Sequence, residues 1–236
     1  MTRKILSALG AVLLLCGLGV LSFIGIGAAA DQSELAQKQQ DTKSLVREWN
    51  VEGSATRVDS PASATPVQTP VTQRPGTYDE FGVLYVPRWG KDYVAPILEG
   101  DKSSDVSSWH GVDHYPSSQM PGELGNFVIT GHNGRNETGR FSHLNQNEVG
   151  DLVYVETADG WYSYRLTSFE TIDASESEVL LPVPRQPGVE PTKSTITLIS
   201  CTRMWWGTTG RYVAYGDFEQ FTPRTDGPPS EVAALR

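Results

Sequence analysis

The sequence has few cysteines and few basic residues, and each shortage excludes a class of protein. Cys16 and Cys201 are the only cysteines among 236 residues, whereas a disulfide-stapled scaffold needs several regularly spaced pairs. Lysine and arginine total 19 against 28 aspartates and glutamates, so the formal net charge is −9. Because phosphate groups are bound by dense basic patches, we predict that the protein does not bind nucleic acid.

Glycine and proline, by contrast, are abundant. The 23 glycines and 15 prolines argue against a long helical bundle and favour a loop-rich β architecture. The length allows one globular domain with appendages and excludes a large multidomain assembly.

The N-terminal segment lacks charge altogether. No charged side chain occurs among the 26 residues from Ile5 to Ala30. As a helix this run would extend about 39 Å, enough to cross a hydrocarbon core of about 30 Å. Since Arg3 and Lys4 precede it, residues 1–30 predict a cytoplasmic N-terminus and a single-pass anchor in the cell membrane, with the remaining chain extracellular. The alternative is a cleaved signal peptide, although the run exceeds the usual hydrophobic region of one.

Composition divides the rest of the chain into three parts. Residues 31–76 combine a stretch of helix formers with a spacer rich in Pro, Ser and Thr, which predicts a helical stalk and an extended linker. Residues 77–221 contain most of the aromatics and predict the globular domain. Residues 222–236 are rich in Pro, Gly and charge and predict a disordered tail.

Short apolar runs, some with period-two alternation, predict strands within the globular domain. The candidates are residues 81–86, 93–98, 126–130, 151–156, 162–167, 194–201 and 211–218. Helical turns are expected near residues 103–109 and 141–145. Seven or eight short strands separated by turns predict an all-β barrel or sandwich.

Cys201 is the only thiol of the predicted domain and ends an apolar strand. An isolated cysteine is most often a small buried hydrophobe, and that interpretation stays open for this residue alone. Arg211 opens the next strand, so an antiparallel hairpin would place its guanidinium beside the thiol. His132 ends another strand, where Gly131 would allow a turn that raises the imidazole to the rim of a barrel.

These three side chains have complementary chemistry. A thiolate is the nucleophile, and a nearby cation stabilises its charge. His132 can protonate a leaving amine and later deprotonate an incoming one, while Arg211 can bind the developing oxyanion. The combination indicates a cysteine-dependent acyl transferase or peptidase, with no cofactor and no metal.

Several segments combine into a recognisable pattern: ITGHN at 129–133, FSHLNQNEVGDLVYV at 141–155, and TLISC at 197–201 followed by Arg211. Together they resemble the sortases, a family of membrane-anchored cysteine transpeptidases of the Gram-positive cell surface. The resemblance covers about residues 80–220. It implies an eight-stranded β-barrel in which His132, Cys201 and Arg211 are catalytic.

The resemblance also implies a reaction and its partners. Cys201 would attack the Thr–Gly carbonyl of an LPXTG or LAXTG sorting signal on a secreted protein, and the amine of a cell-wall precursor would resolve the thioacyl enzyme. Ser200 stands where the family usually has Thr, which keeps the hydroxyl and loses a methyl group. The expected substrate-binding residues are Ser200, Thr202, Trp205, Trp206 and His114.

The domain organisation resembles a housekeeping or class E-type sortase. Pilin-polymerising sortases, which are the alternative, usually have a lid before the barrel and a second hydrophobic helix. Two function classes outside the family also stay open. An L,D-transpeptidase needs a His-Gly pair next to its cysteine, which Ser200–Cys201 lacks. An inactive anchored binding module would have no need of the Cys–His–Arg trio.

Several candidate residues also have ordinary interpretations. His143 is the main alternative to His132 as the base, and we expect it to be structural. Trp205 and Trp206 would line the substrate groove or cap the barrel. His110 and His114 have the spacing of metal ligands on a helix, but no third ligand is apparent.

Three acidic residues, Glu99, Asp101 and Glu170, could form a Ca²⁺ site as in some sortases. Their spacing does not demand one, and surface solubility is the ordinary explanation for them.

Overall fold

A computed structural model of the chain describes residues 69–91, 93–100, 111–133, 140–202 and 210–235, together with residues 40, 44, 46, 47 and 49. All of these except Gln40 belong to one structural unit, Thr42–Arg236.

Eight strands form the barrel, in the order β1-β2-β3-β4-β7-β8-β6-β5 around its circumference. They are β1 (Glu80–Tyr85), β2 (Ala95–Glu99), β3 (Val112–His114), β4 (Gly125–Gly131), β5 (Leu152–Glu156), β6 (Gly160–Asp173), β7 (Ser194–Cys201) and β8 (Gly210–Pro223). Short 3₁₀ helices span Pro87–Trp89, Leu144–Gln146, Glu178–Leu180 and Arg224–Asp226, and an α-helix spans Ser230–Ala233.

The inner and outer faces of β7 are both covered. Ile196 and Leu198 point into the main core with aromatic residues such as Phe127 and Tyr164. Ile199, on the opposite face, packs with Val179 from the long β6–β7 connection. Because side chains alternate along a strand, Ile196 and Leu198 share one face of β7 and Ile199 lies on the other, with serines and threonines at the positions between them.

The predicted eight-stranded barrel is confirmed, with differences in its elements. Strand β3 was not predicted. It has only three residues, and two of them are the polar Asp113 and His114. Strands β6 and β8 have 14 residues each and are much longer than predicted. They pair along their whole length, with bulges that interrupt the alternation on which the prediction relied.

The folded part begins before the predicted boundary at residue 77. Residues 69–76 were expected to belong to the spacer, yet Thr72 N–H donates to Pro121 O at 3.2 Å. The Thr72 hydroxyl donates to Tyr162 Oη, and Tyr162 Oη donates to Pro70 O, each at 3.1 Å. These hydrogen bonds bind the segment to the barrel despite its spacer-like composition.

The C-terminal segment, expected to be disordered from residue 222, is also folded. Val232 is fully buried in an outer cluster with Trp161 and two helical residues of the predicted stalk, Val46 and Trp49. Arg224 lies between the rings of Trp49 and Trp161, 5.5 and 4.8 Å from their centroids. The composition of this segment is polar, so it was predicted to be disordered. The buried valine and the stacked arginine are two contacts that composition does not show, and they hold the segment against the barrel.

Other predicted segments lie outside the described residues. These are the anchor at residues 5–30, the spacer up to residue 68 and the helical turn at 103–109. Within the part of the chain that is described, no helix has the length and apolar character required to span a bilayer.

We expect Arg224→Ala to destabilise the protein strongly. Arg224 pairs with Glu156 at 3.1 Å, and the two side chains are only 6% and 0% exposed. Its removal leaves a buried carboxylate without its cation, a change that costs about 3–5 kcal/mol. Urea unfolding measures the loss.

Arg165→Ala is the matched control, since Arg165 and its partner Glu219 are 45% and 37% exposed. An exposed pair contributes about 1 kcal/mol or less. Equal losses for the two variants would contradict the importance assigned to the buried pair.

Candidate active site

The predicted nucleophile and cation are cross-strand partners. Cys201, the last residue of β7, pairs with Arg211, the second residue of β8. Directly opposite residues of an antiparallel pair have Cβ atoms about 4.5–5.5 Å apart on the same face of the sheet. The hairpin therefore brings the thiol and the guanidinium to one end of the barrel.

His132 reaches the same end from the other side of β7. Strands β4 and β7 are parallel, with Gly131, the last residue of β4, opposite Ser200, so His132 follows β4 at the level of Cys201. Phe141 N–H donates to His132 O at 2.9 Å, and Asn133 Nδ2 donates to Cys201 O at 2.8 Å. The chain around the histidine is thus hydrogen-bonded both to the following loop and to the cysteine.

Gly131 serves a purpose different from the one expected. It does not form a turn but is the last residue of β4. An alanine Cβ at this position would lie 2.7 Å from Cγ of Phe141. Glycine is required because the phenyl ring packs directly on the backbone beside His132.

Arg211 lies beside acidic residues of the β6–β7 region. Its Nη1 donates to Gly210 O at 3.1 Å. Hydrogen bonds from Ser175 hold the pKa of Asp173 below its ordinary value, and the charge of Arg211 makes a smaller contribution in the same direction. The guanidinium is partly exposed, as a group that binds a substrate must be.

Two cavities border this end of β7. The first, here called the Arg211 cavity, has about 200 Å³ and is lined by residues that include Tyr115, Thr130, Ile172, Val179, Ile199 and Arg211. The second, the Cys201 cavity, has about 260 Å³ and is lined by residues that include Asn133, Phe141, Ser142, Asn145, Cys201 and Thr202. A larger cavity of about 450 Å³ lies near Thr195 and Asp217, at the opposite end of β7, and includes none of the predicted catalytic residues.

The structure also places the residues that flank Cys201. Ser200 is buried, and its hydroxyl donates to Phe141 O at 3.3 Å. Thr202 N–H donates to Gly210 O at 3.1 Å. Both residues line the Cys201 cavity, whereas Trp205 and Trp206 lie outside the described residues.

His114 differs from its expected role in substrate binding. It borders the Arg211 cavity, but its side chain is 0% exposed. Nδ1 lies 2.6 Å from Glu99 Oε2, and Nε2 lies 2.8 Å from Ser118 Oγ. A ring enclosed in this way has no surface with which to contact a substrate, so its role in this fold is to anchor β3.

Glu99 joins His114 to the N-terminal segment. Arg74 Nη1 donates to Glu99 Oε1 at 2.7 Å, and Nη2 donates to Ser118 O at 2.6 Å. Burial raises the pKa of Glu99, but the hydrogen bonds and charges of His114 and Arg74 outweigh it and hold the pKa below its ordinary value.

The acidic residues considered for Ca²⁺ are otherwise engaged where they are described. Glu99 pairs with Arg74, and Glu170 accepts two hydrogen bonds of 3.0 Å from Arg185. Asp101 lies outside the described residues. Within the described ranges, no group of three His, Cys, Asp or Glu side chains has a metal-binding arrangement.

His143, the alternative base, occupies the connection between β4 and β5. Its Nδ1 lies 2.9 Å from Gln146 Nε2, and its ring centroid lies 6.4 Å from that of Trp89. Unlike His132, it does not directly follow a strand that pairs with β7. The register thus relates His132, rather than His143, to the cysteine.

Three residues of the site were not predicted from the sequence: Asn133, Phe141 and Ser142. Asn133 directly follows His132, and this adjacency was the available signal. Phe141 and Ser142 open the segment at 141–155 that contributed to the family resemblance, but neither residue was assigned to the site. Their approach to β7 depends on the barrel, so no local pattern reveals it.

The chain is similar to known proteins over most of its barrel. A sequence model of the sortase domain matches residues 84–219. Sortase SrtE1 of Streptomyces coelicolor is 33% identical over 172 residues, which cover 68% of this chain and 47% of that protein. Sortase A of Listeria monocytogenes is 29% identical over 159 residues, covering 66% of this chain and 65% of that protein. The chain thus spans about half to two thirds of the length of these relatives.

Solved structures give the same result. SrtA sortase from Actinomyces oris is 31% identical with a TM-score of 0.64, and the match covers 71% of this chain and 94% of that one. Sortase E1 from Streptomyces coelicolor, solved with a tripeptide in the active site, is 32% identical with a TM-score of 0.57; that match covers 68% and 99% of the two chains.

Gly131→Ala is expected to reduce both stability and thiol reactivity. The added methyl group pushes Phe141 away, which strains the hydrogen bonds that Phe141 makes with His132 and Ser200. Overpacking of this kind costs about 1–3 kcal/mol. Thermal unfolding and the rate of Cys201 alkylation measure the two effects.

Gly150→Ala is a suitable control for added bulk, because a Cβ at Gly150 would meet no atom within 4 Å, although the positive φ of 99° adds local strain. Unchanged Cys201 alkylation in Gly131→Ala would contradict the proposed role of the Phe141 contact.

Glu99 should make stability depend on acidic pH. Because its folded-state pKa lies below the ordinary value of 4.5, ionised Glu99 stabilises the fold above that pH. The contribution is lost as the pH falls through the folded-state pKa. The difference in unfolding free energy between wild type and Glu99→Gln should therefore shrink between pH 7 and pH 3, which denaturant titrations can measure. A constant difference over this range would show that the carboxylate charge contributes nothing.

Proposed function

This chain belongs to the sortase family, and we propose that it is a membrane-anchored cysteine transpeptidase using Cys201, His132 and Arg211. The observation that carries this proposal is the register of three adjacent strands. Cys201 pairs with Arg211, and Gly131 pairs with Ser200, immediately before His132 and Cys201.

In the first half of the proposed reaction, the thiolate of Cys201 attacks the carbonyl carbon of the scissile peptide bond. Arg211 donates hydrogen bonds to the developing oxyanion or holds the substrate backbone. The C–N bond breaks, and the leaving amine takes its proton from His132. The acyl group remains on the sulfur as a thioester.

In the second half, the amine of an acceptor attacks the thioester. His132 takes a proton from the amine, the C–S bond breaks, and the sulfur leaves as a thiolate. Transfer through a covalent intermediate predicts ping-pong kinetics. Water is the competing nucleophile and would yield hydrolysis.

For the first substrate we propose a sorting signal of the LPXTG or LAXTG kind, cleaved between Thr and Gly. The Arg211 cavity supports this choice, because Ile172, Val179 and Ile199 offer an apolar wall for the leucine side chain. The tripeptide in the active site of the related sortase E1 supports a short peptide as the ligand. The likeness to sortase E proteins favours a housekeeping role over pilin polymerisation.

The proposed partners are secreted proteins that carry the sorting signal and a cell-wall precursor that supplies the amine. We also propose that residues 5–30 anchor the chain in the cell membrane, with its N-terminus in the cytoplasm and its barrel outside. The absence of charge from Ile5 to Ala30, with Arg3 and Lys4 before it, supports this topology.

We expect Cys201→Ala and Arg211→Ala to abolish ligation of a sorting-signal peptide to an amine, while His132→Ala lowers kcat/KM about 10²- to 10⁴-fold. Chromatography of the cleavage and ligation products measures these losses. His143→Ala is the matched control for the histidine and should change the rate far less.

Two results would refute the assignment. Full activity of Cys201→Ala would exclude a thioacyl intermediate at this residue. A larger loss in His143→Ala than in His132→Ala would move the acid–base role to His143. An inactive wild type with a correctly folded barrel would instead favour a binding module.

A further inference from the structure

The turn after β3 forms part of the wall of the Arg211 cavity. Tyr115 and Pro116 line the cavity there. Ser118 closes the turn, because its N–H and its hydroxyl both donate to Tyr115 O, at 2.9 and 2.8 Å. Residues 115–118 are here called the cavity turn. Since two of its residues line the cavity, the conformation of this turn sets the shape of the space that the proposed sorting signal enters.

Strand β4 holds the cavity turn through two hydrogen bonds. Tyr115 N–H donates to Val128 O at 2.9 Å, and Val128 N–H donates to Ser118 Oγ at 3.1 Å. These bonds use the amide of Tyr115 and the hydroxyl of Ser118. The backbone carbonyls of Pro116 and Ser118 bind a different part of the chain.

Arg74, in the segment before β1, donates to both of these carbonyls. Its Nη1 donates to Pro116 O at 3.0 Å, and its Nη2 donates to Ser118 O at 2.6 Å. Nη1 also donates to Glu99 Oε1 at 2.7 Å. A guanidinium is planar and has its N–H groups in fixed directions. One side chain therefore holds two carbonyls of the cavity turn and the Glu99 carboxylate in a fixed arrangement.

The backbone that carries Arg74 is itself held on both sides of this residue. Thr72 N–H donates to Pro121 O at 3.2 Å, and Tyr78 N–H donates to Glu99 O at 2.7 Å. The guanidinium thus extends from a fixed backbone rather than from a free terminus, as a group that positions another element must.

Loss of Arg74 should leave the barrel folded. Its side chain is 40% exposed, and Glu99 retains a second partner in His114 Nδ1 at 2.6 Å. Arg74 itself is not one of the described residues that line the Arg211 cavity. Its main effect is therefore expected on the conformation of the cavity turn.

From these contacts we propose that Arg74 is a positioning residue for the first substrate, which holds the cavity turn in the shape that admits the sorting signal. The inference rests on the proposed transpeptidase function and adds to its binding site a residue from outside the barrel strands. Arg74 acts through Tyr115 and Pro116 and has no part in the chemical steps. The segment that leads into β1 is thereby part of the apparatus that binds the substrate.

The proposal predicts which kinetic constant changes. Without Arg74, the two carbonyls bond to water, and the cavity turn is held by β4 alone. A sorting signal must then order the turn as it binds, which weakens the ground state and the transition state alike. Such a change raises KM and leaves kcat nearly unchanged. Cys201, His132 and Arg211 keep their places, because the register of β4, β7 and β8 fixes them.

The test uses the full-length protein, a labelled LAXTG-containing peptide and a fixed concentration of triglycine amide as the acceptor. Chromatography of the products gives kcat and KM for the labelled peptide. Arg74→Met removes the donors and keeps a long apolar side chain. We expect its KM to rise about three- to tenfold, the effect of losing hydrogen bonds that order the turn. Its kcat and the rate of Cys201 alkylation should stay near those of wild type.

Arg74→Lys separates positioning from stability. The lysine keeps a positive charge opposite Glu99 but replaces the planar group with a compact ammonium, which does not reproduce the arrangement of donors. Urea unfolding should show that it recovers the stability lost in Arg74→Met, while its KM stays raised. If Arg74→Met does not fold, the KM of Arg74→Lys alone decides. Recovery of stability and KM together would overturn the positioning role.

Arg88→Met is the matched control for loss of an arginine. Arg88 is 34% exposed and pairs with Glu148 at 3.1 Å, and it is not among the described residues that line the Arg211 cavity. It should leave KM for the peptide unchanged. An equal rise in KM for Arg88→Met and Arg74→Met would overturn the proposal.

The remaining outcomes distinguish this inference from the function on which it rests. Cleavage of the peptide by wild type, with an unchanged KM in both Arg74 variants, would overturn the positioning role alone. A lowered kcat with an unchanged KM would also overturn it, because the turn would then affect the reaction and not the binding. Failure of folded wild type to cleave the peptide would overturn the proposed function and the positioning role together.

Discussion

The position of β7 between β4 and β8 is the constraint on which the site depends. The parallel partner ends at Gly131, and the antiparallel partner begins at Gly210, so the ladder hydrogen bonds fix the end of β7 relative to both. A slip of one residue would turn Cys201 to the other face of the sheet and away from Arg211. Such a slip would also turn Ile196 and Leu198 out of the main core and point Thr195 and Thr197 into it, so the alternation along the strand fixes the geometry at its last residue.

Two ionic clusters, each built on a buried carboxylate, attach the chain segments outside the barrel. Arg74, Glu99 and His114 join the segment before β1 to β2 and β3. Arg224 and Glu156 join the end of β8 to β5, and Trp49 stacks on the same arginine. The buried carboxylates of Glu99 and Glu156 are tolerated because each is paired and hydrogen-bonded. Segments that resemble linkers in composition are consequently part of the folded unit.

The sequence predicted most of the barrel and the grouping of Cys201, His132 and Arg211 at one end of it, because both depend on local signals. Cys201 and Arg211 lie at the ends of apolar runs, and the order of short strands indicated their pairing. The three-residue β3 was missed because its buried Asp113 and His114 are polar, and their partners are distant in sequence. The docking of Arg74 and Arg224 was missed for the same reason. Ser142 was not predicted because it reaches Cys201 through the tertiary packing of the adjacent Phe141. That packing produces no periodic pattern in the sequence.

In the proposed mechanism, Cys201 forms the covalent bond to the first substrate. Mass spectrometry of the intact protein, mixed with a sorting-signal peptide and quenched with acid before hydrolysis is complete, detects this bond. We expect a mass increase equal to the acyl fragment, removable by hydroxylamine and located by peptide mapping on Cys201. Cleavage of the peptide with no such adduct, or an adduct on another residue, would contradict it.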